Sequence, residues 1–318
     1  MENMNKLIEL SKPNQRILVT GGTGFIGKPL CSMLMQQGHA VTVLTRNVKT
    51  ATRMFDGRAS VVGNIAQLPG DQTFDIIINL AGETVSQRWN DDSKARIIQS
   101  RCSVTQDLVD YVARAVQKPR VMISGSAIGV YGTSTTQSFT EETPPTNDAF
   151  SAFPREVCAR WEACAKQVEQ YGVRVCLLRT GVVLEKNGGA LGQMMLPFNL
   201  GLGGPMGDGQ QWFSWIHRDD LIGIIIHLIN HDEISGAVNG TAPNPVTNKE
   251  FAKALGKAMH RPSFIPLLPF QIRLLFGEMG DVLLLAGQKV LPCRVQASGF
   301  VFRYGDAAAA LADIIRKD

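Results

Sequence analysis

The stretch Gly21-Gly22-Thr23-Gly24-Phe25-Ile26-Gly27 follows directly on the apolar run Arg16-Ile17-Leu18-Val19-Thr20. Beyond it, Ile26, Leu30 and Leu34 recur at helical spacing, and Gly38 stands where a helix would end. A strand, a glycine turn and a helix in that order form a cradle for phosphate. Gly21 permits the tight turn, Gly24 lets the backbone approach a pyrophosphate, and Gly27 lets helix and strand touch. The helix start offers unpaired N–H groups and the positive end of its dipole to an anion, with Thr23, Phe25 and Ile26 completing the cradle. The turn therefore predicts a bound dinucleotide.

Outward from the turn, short apolar runs alternate with helical periodicity. Strands are expected at residues 40–45, 75–80, 120–124 and 173–178, and long helices at 91–115 and 151–171. This alternation predicts an α/β fold, a doubly wound parallel sheet of Rossmann type with a smaller C-terminal substrate-side region. The expected division is a polar N-terminal extension (1–15), an NADP-binding Rossmann domain (16–240) and a C-terminal helical domain (241–318). Within the second, core strands run to about residue 180 and substrate-side segments cover 185–218. Glycine is dense between Gly188 and Gly209, and helices return near 219–230 and 248–259.

The end of the second strand discriminates between cofactors. Folds that take NAD place an acid there for the ribose 2′-hydroxyl, whereas NADP calls for arginine beside the 2′-phosphate. This chain has Thr45-Arg46-Asn47 and no carboxylate. Arg46 can pair with the phosphate bidentately, so the expected cofactor is NADP(H).

Composition narrows the class. The 318 residues are 44% hydrophobic and 19% charged, an ordinary globular mixture. A net charge of +4 without a basic run gives no support to nucleic-acid binding. The six cysteines are scattered, without metal-ligand spacing, so no metal site and no disulfide framework is expected. No apolar run reaches membrane-spanning length and the first fifteen residues lack a secretory core, which predicts a cytoplasmic protein.

Further motifs carry a family resemblance. Asn79-Leu80-Ala81-Gly82-Glu83, Arg88-Trp89-Asn90, Ser100-Arg101, Ser124-Gly125-Ser126-Ala127 and Tyr131-Gly132 follow in order. So do residues 178–184 (LRTGVVL), 201–205 (GLGGP), 215–221 (WIHRDDL), 243–251 (PNPVTNKEF) and 287–292 (GQKVLP). Together with the glycine turn they resemble an atypical branch of the extended short-chain dehydrogenase/reductases, the "epimerase family protein" group. That group is similar to nucleotide-sugar epimerases and has its own C-terminal domain. The resemblance implies that Thr45 and Arg46 face the adenosine ribose and its phosphate. It places Asn79, Leu80, Ala81, Gly82 and Glu83 along the cofactor, with Ser124 behind them and Arg101 reaching back from the next helix. Thr180, Gly181 and Val182 would pass near the nicotinamide, while Arg88, Trp89, Trp212, Trp215 and His217 line the substrate side. Helices 91–115 and 151–171 pair members of this family into dimers, so a monomer or homodimer is expected.

The catalytic pattern departs from the resemblance. Extended short-chain reductases use a Tyr-x-x-x-Lys pair with a Ser or Thr; the lysine lowers the tyrosine pKa and the hydroxyl orients the substrate. Ser126 matches the hydroxyl. With Trp161-Glu162 aligned to the helix end, Pro154 takes the tyrosine position and Cys158 that of lysine. The candidate acid/base set is Ser126 assisted by Tyr131 or Glu83, the last if burial raised its pKa. The expected function is an NADP(H)-dependent oxidoreductase or epimerase-like isomerase acting on a small polar molecule, with a nucleotide sugar as the analogy. The alternative is a dinucleotide-binding sensor or partner-binding protein without turnover.

Overall fold

The computed structural model describes residues 9–316; residues 1–8, the start of the expected polar extension, and residues 317–318 lie outside the described part. β1 (Arg16–Thr20) leads through the glycine turn into α1 (Gly27–Gln36), after which Gly38 turns the chain at φ +83°. β2 (Ala40–Leu44), a short α2 (Val48–Met54) and β3 (Ser60–Val62) follow. β4 (Ile76–Asn79) runs through an irregular stretch to α3 (Asp91–Arg114), whose start is fixed by a reciprocal Asn90–Ser93 capping box.

β5 (Val121–Ala127) passes through a 3₁₀ turn at Ile128–Tyr131 and the two-residue β6 (Ser138–Phe139) to α4 (Ala152–Lys166). The helix expected over 151–171 tightens into 3₁₀ geometry over Gln167–Tyr171. Then come β7 (Arg174–Thr180), β8 (Val182–Leu184), α5 (Gly189–Asn199), β9 (Trp212–Phe213), β10 (Trp215–His217), α6 (Arg218–Asn230) and β11 (Gly236–Gly240). The chain ends with β12 (Val246–Thr247), α7 (Asn248–Met259), α8 (Pro269–Phe276), α9 (Glu278–Leu283), β13 (Lys289–Val290), α10 (Cys293–Ala297) and α11 (Ala307–Arg316).

Seven strands form one parallel sheet in the order β11-β7-β5-β4-β1-β2-β3. β3 and β11 were not anticipated from the sequence. The chain leaves β1 toward β2 and returns on the other side as β4, which opens a crevice above the carboxyl ends of β1 and β4. Register brings those ends level: Thr20 faces Leu44 on one side and Asn79 on the other, and Asn79 faces Ser124.

Alternation explains why the strands read as uninterrupted apolar runs. Ile17 and Val19 enter a layer with Leu30 and Leu34 of α1 and Leu221, Ile224 and Ile225 of α6. Leu18 enters the opposite layer with Leu108 and Val112 of α3. Each wholly buried aliphatic side chain contributes roughly 2 kcal/mol, so both faces are held by burial. A third layer joins Leu191 and Phe198 of α5, Phe251 and Leu255 of α7, and Leu311 and Ile314 of α11. The run at residues 299–304 forms no strand; the N–H groups of Arg303 and Tyr304 bond Asp220 at the start of α6 instead.

Candidate functional site

The glycine turn is built from contacts that admit no side chain. A Cβ on Gly27 would lie 2.2 Å from the Gly21 carbonyl oxygen, and one on Gly21, at φ +68°, would lie 2.7 Å from the Leu80 carbonyl. Gly24 donates its N–H back to the Gly21 oxygen at 2.9 Å and remains exposed. The turn therefore presents bare backbone to the crevice, as a pyrophosphate cradle requires. Beside it, a cleft of about 520 Å³ is lined by Thr23, Gly24, Lys28, Asn187 and Arg218. Phe25 closes one wall, its ring against Gly188 and Gly189 and 5.5 Å from the Arg218 guanidinium, which pairs with Glu185 at 2.8 Å. The sequence reading missed Lys28 and Arg218; their only local signal was nearness to helix starts.

At the strand ends, Asn79 is a buried clamp. Its amide accepts from Thr20 Oγ1 (2.7 Å) and donates to Thr105 Oγ1 (2.8 Å) and Ser124 Oγ (3.3 Å). Thr20 Oγ1 in turn accepts the Ala81 N–H at 3.2 Å. These bonds fix the backbone of Leu80 and Ala81 against the turn, while the side chains of Asn79 and Ser124 face inward. On the far side of β1, Thr45 is half-buried, its N–H bonded to the Val62 carbonyl, and Arg46 is exposed. Among the described residues no carboxylate forms an ion pair with Arg46.

Past β4, the Glu83 N–H donates to Ser100 Oγ, and its carboxylate accepts from Gln87 Nε2 (3.0 Å) and Arg96 Nε (3.4 Å). The Gln87 hydrogen bond, then Arg96 and the charge of Arg46, hold this carboxyl below its ordinary range. The raised pKa that a role as acid would need is thus reversed here. Gly82 is exposed, and a Cβ on it would lie 2.9 Å from Cζ of Arg101. Arg101 lies with its guanidinium 5.1 Å from the Trp161 ring centroid, and burial weakens its hold on its proton.

Ser126 and Tyr131 meet through two residues the sequence reading passed over. Ser126 Oγ donates to Glu162 Oε1 at 2.7 Å. Arg179 then grips Glu162 with Nε and Nη2, each at 2.9 Å, and extends Nη1 to the Tyr131 hydroxyl at 3.0 Å. That hydroxyl donates to Asn239 Oδ1 at 2.7 Å. Tyr131 is wholly buried, and burial pushes its pKa up. The structure thus does not bring Tyr131 to the crevice surface. Pro154 rests on Gly129, and the Cys158 thiol, pushed up to about 11 by burial, points at the Ala127 carbonyl. Pro154 has no ionisable group, and the Cys158 thiol, turned to that carbonyl, is no cation.

The expected substrate-side residues divide. Trp89 is buried edge-on to Phe153, its indole N–H on the Val85 carbonyl, and Arg88 reaches the Leu274 carbonyl in α8. Trp215 is wholly buried in the third apolar layer with its N–H on the Asn244 carbonyl. His217 is also buried; it caps α6 by accepting the Asp219 N–H and stacks on Tyr304 at 3.8 Å. Arg88 stays exposed and Trp212 half-exposed, the latter with Lys289 over its ring. Thr180, Gly181 and Val182 are half-buried, and Gly181 admits no Cβ because the Ser214 carbonyl would lie 2.6 Å away. Among the described residues, no cluster of His, Cys, Asp and Glu could hold a metal, and no helix is long and apolar enough to cross a membrane.

Residues 17–239, almost all of the sheet and its crevice, match the sequence model of the NAD dependent epimerase/dehydratase family. This chain belongs to that family. A second match, over residues 269–314, is to a domain of unknown function, DUF1731. Among the family's curated members, the chain is 41% identical over 306 residues to the chloroplastic epimerase family protein SDR39U1 homolog of Arabidopsis thaliana, covering 94% of this chain and 86% of that protein. The crystal structure of human epimerase family protein SDR39U1 with NADPH superposes with a TM-score of 0.85 at 36% identity, covering 95% of this chain and 99% of that one. A nucleoside-diphosphate sugar epimerase from Corynebacterium glutamicum gives a TM-score of 0.76 at 30% identity, covering 98% of this chain and 62% of the other.

Proposed function

We propose that the chain binds NADP(H) in the crevice above β1 and β4 and presents it to a small polar substrate in an oxidoreductase or epimerase-like reaction. The observation that carries this is the turn whose glycines leave no room for a Cβ at Gly21 and Gly27, with exposed Arg46 at the end of β2, where an NAD site would place an acid. The NADPH in the human relative supports the same choice. Gly21, Gly24 and Gly27 would hold the pyrophosphate, and Arg46 the 2′-phosphate. When bound, the cofactor supplies or accepts the hydride.

Ser126 supports the substrate half. Its proton is committed to Glu162, whose two oxygens Arg179 grips with Nε and Nη2. The Ser126 oxygen, its proton so engaged, keeps its lone pairs to accept a hydrogen bond and orient a hydroxyl of the substrate, while Glu83, held below the ordinary carboxylate range, accepts hydrogen bonds beside it.

A second reading, a dinucleotide-binding sensor without turnover, is favoured by Pro154 and Cys158 in the tyrosine and lysine positions and by the enclosed Tyr131. One experiment separates the two. NADPH and NADH are titrated calorimetrically, and both cofactor oxidation and epimer formation, the latter with oxidised and reduced cofactor, are followed against carbonyl and nucleotide-sugar panels with wild type and Ser126→Ala. Tight NADPH binding with turnover that Ser126→Ala reduces is the expected result. Binding without turnover on any compound selects the sensor, and no binding rejects both.

A further inference from the structure

Cys31, Cys158 and Cys176 are buried singly and Cys293 is exposed; the groups that act on these four thiols include no second thiol. Cys102 of α3 and Cys164 of α4 differ. The two helices run side by side, and matched residues climb between them. Lys94 lies over the Phe153 ring, Ile97 shares an apolar cluster with Val157, and Arg101 lies over the Trp161 ring. Cys102 follows Arg101 directly, and Cys164 stands one turn beyond Trp161. Their side chains meet there as hydrogen-bond partners. Packed helices with axes about 8–10 Å apart bring facing Cα atoms to about 5 Å, the span that a disulfide bridges.

The surroundings suit exchange with an outside disulfide. Both thiols are half-buried, so a small oxidant reaches them, whereas Cys158 on the same helix is sealed in. The charges of Arg160 and Arg101 favour the thiolate of Cys102, and Arg160 is exposed, where it also attracts an anionic oxidant. Cys102 is therefore the thiol that attacks. Burial first, and then Cys164, outweigh those charges and push the Cys102 thiol up to about 11. A pair whose thiolate is so disfavoured reacts slowly, and its disulfide, once closed, is hard to reduce.

We propose that Cys102 and Cys164 are a redox modification site, closed to an intramolecular disulfide by exchange with glutathione disulfide, which clasps α3 to α4. The Cys102 thiolate attacks one glutathione sulfur and expels the other half as a thiolate, which takes up a proton. Cys164 then attacks Sγ of Cys102 and expels the second glutathione. The two cysteines lose two electrons and two protons, and one glutathione disulfide becomes two glutathione thiols.

The reduced, folded full-length chain is equilibrated with glutathione buffers of rising oxidised fraction, quenched in acid and alkylated. Oxidising buffer is expected to lower the six alkylatable thiols to four and to join tryptic peptides 102–114 and 161–166. Cys164→Ser is expected to trap one glutathione on Cys102, and Cys102→Ser to form no bridge. Closing a loop of about sixty residues should raise the wild-type thermal midpoint by about 3 °C or more over the reduced form, a rise absent from both variants. Six free thiols at every buffer ratio, a bridge through any other cysteine, or a bond joining two chains overturns the assignment, and a bridge without the rise overturns the clasp. The peptide map reads wild type, so it decides the matter even where a serine variant fails to fold.

Discussion

Ser126 Oγ and Arg179 Nε converge on one oxygen, Glu162 Oε1, at 2.7 and 2.9 Å. The side chains of Glu162 and Arg179 are only 8% and 13% exposed, so this pair holds its charges out of water. Breaking it from one side strands the other. Glu162→Gln should lower unfolding free energy by about 3–5 kcal/mol, read from the urea midpoint, whereas the double change Glu162→Leu with Arg179→Met should cost less than the single one. Equal or greater loss in the double variant would show that the pair itself is net stabilising.

Arg46 offers a cleaner test, because it is exposed and its loss leaves the core intact. Arg46→Ala should weaken NADPH roughly tenfold to a hundredfold and leave NADH unchanged. Should the preference for NADPH survive in calorimetric titration, another group recognises the 2′-phosphate.

Gly27→Ala puts a methyl where the Gly21 carbonyl already stands, 2.2 Å from the new carbon. Helix and turn must separate, at a cost of at least about 1–3 kcal/mol. Lower thermal stability together with loss of NADPH binding is expected, while Gly38→Ala, with open space around it but a strained φ of +83°, should cost stability alone.

His227 sets an acid limb. Burial first, and the neighbouring His231 second, depress its pKa from 6.5 to about 4. The unfolded chain takes up this proton near 6.5 and the folded one only near 4, so stability falls as pH drops through that window and levels off below it. His227→Gln, still able to meet Ser298, should lose this fall, so that denaturant titrations show its stability rising relative to wild type as pH drops across the same range.

The fold was legible where one residue type per position suffices. β1, β4 and β7 are apolar on both faces, and the α1 and α3 patterns repeat at helical spacing. β3 and β11 were not: Gly236-Ala237-Val238-Asn239-Gly240 has two glycines and an asparagine, and becomes a strand only because β7 lies beside it. The cofactor cradle was readable because its steric demand is local. Glu162 and Arg179 were not, since a buried ion pair assembled from α4 and β7 looks like two surface charges along the chain. Trp215 and His217 misled in the opposite sense. Their glycine-rich neighbourhood suggested a ligand surface, and packing of Trp215 among α5, α7 and α11 and of His217 on Tyr304 closed them in.

β11 also sets a clock on synthesis. Its five residues complete the sheet and supply Asn239, the acceptor for the Tyr131 hydroxyl, more than a hundred positions downstream. A nascent or truncated chain that stops short of residue 236 leaves β7 as a bare edge of unpaired backbone groups, ready to pair with another molecule. The ribosome must therefore deliver three quarters of the polypeptide before the nucleotide-binding half is safe from aggregation, although every glycine of the turn emerged near the start.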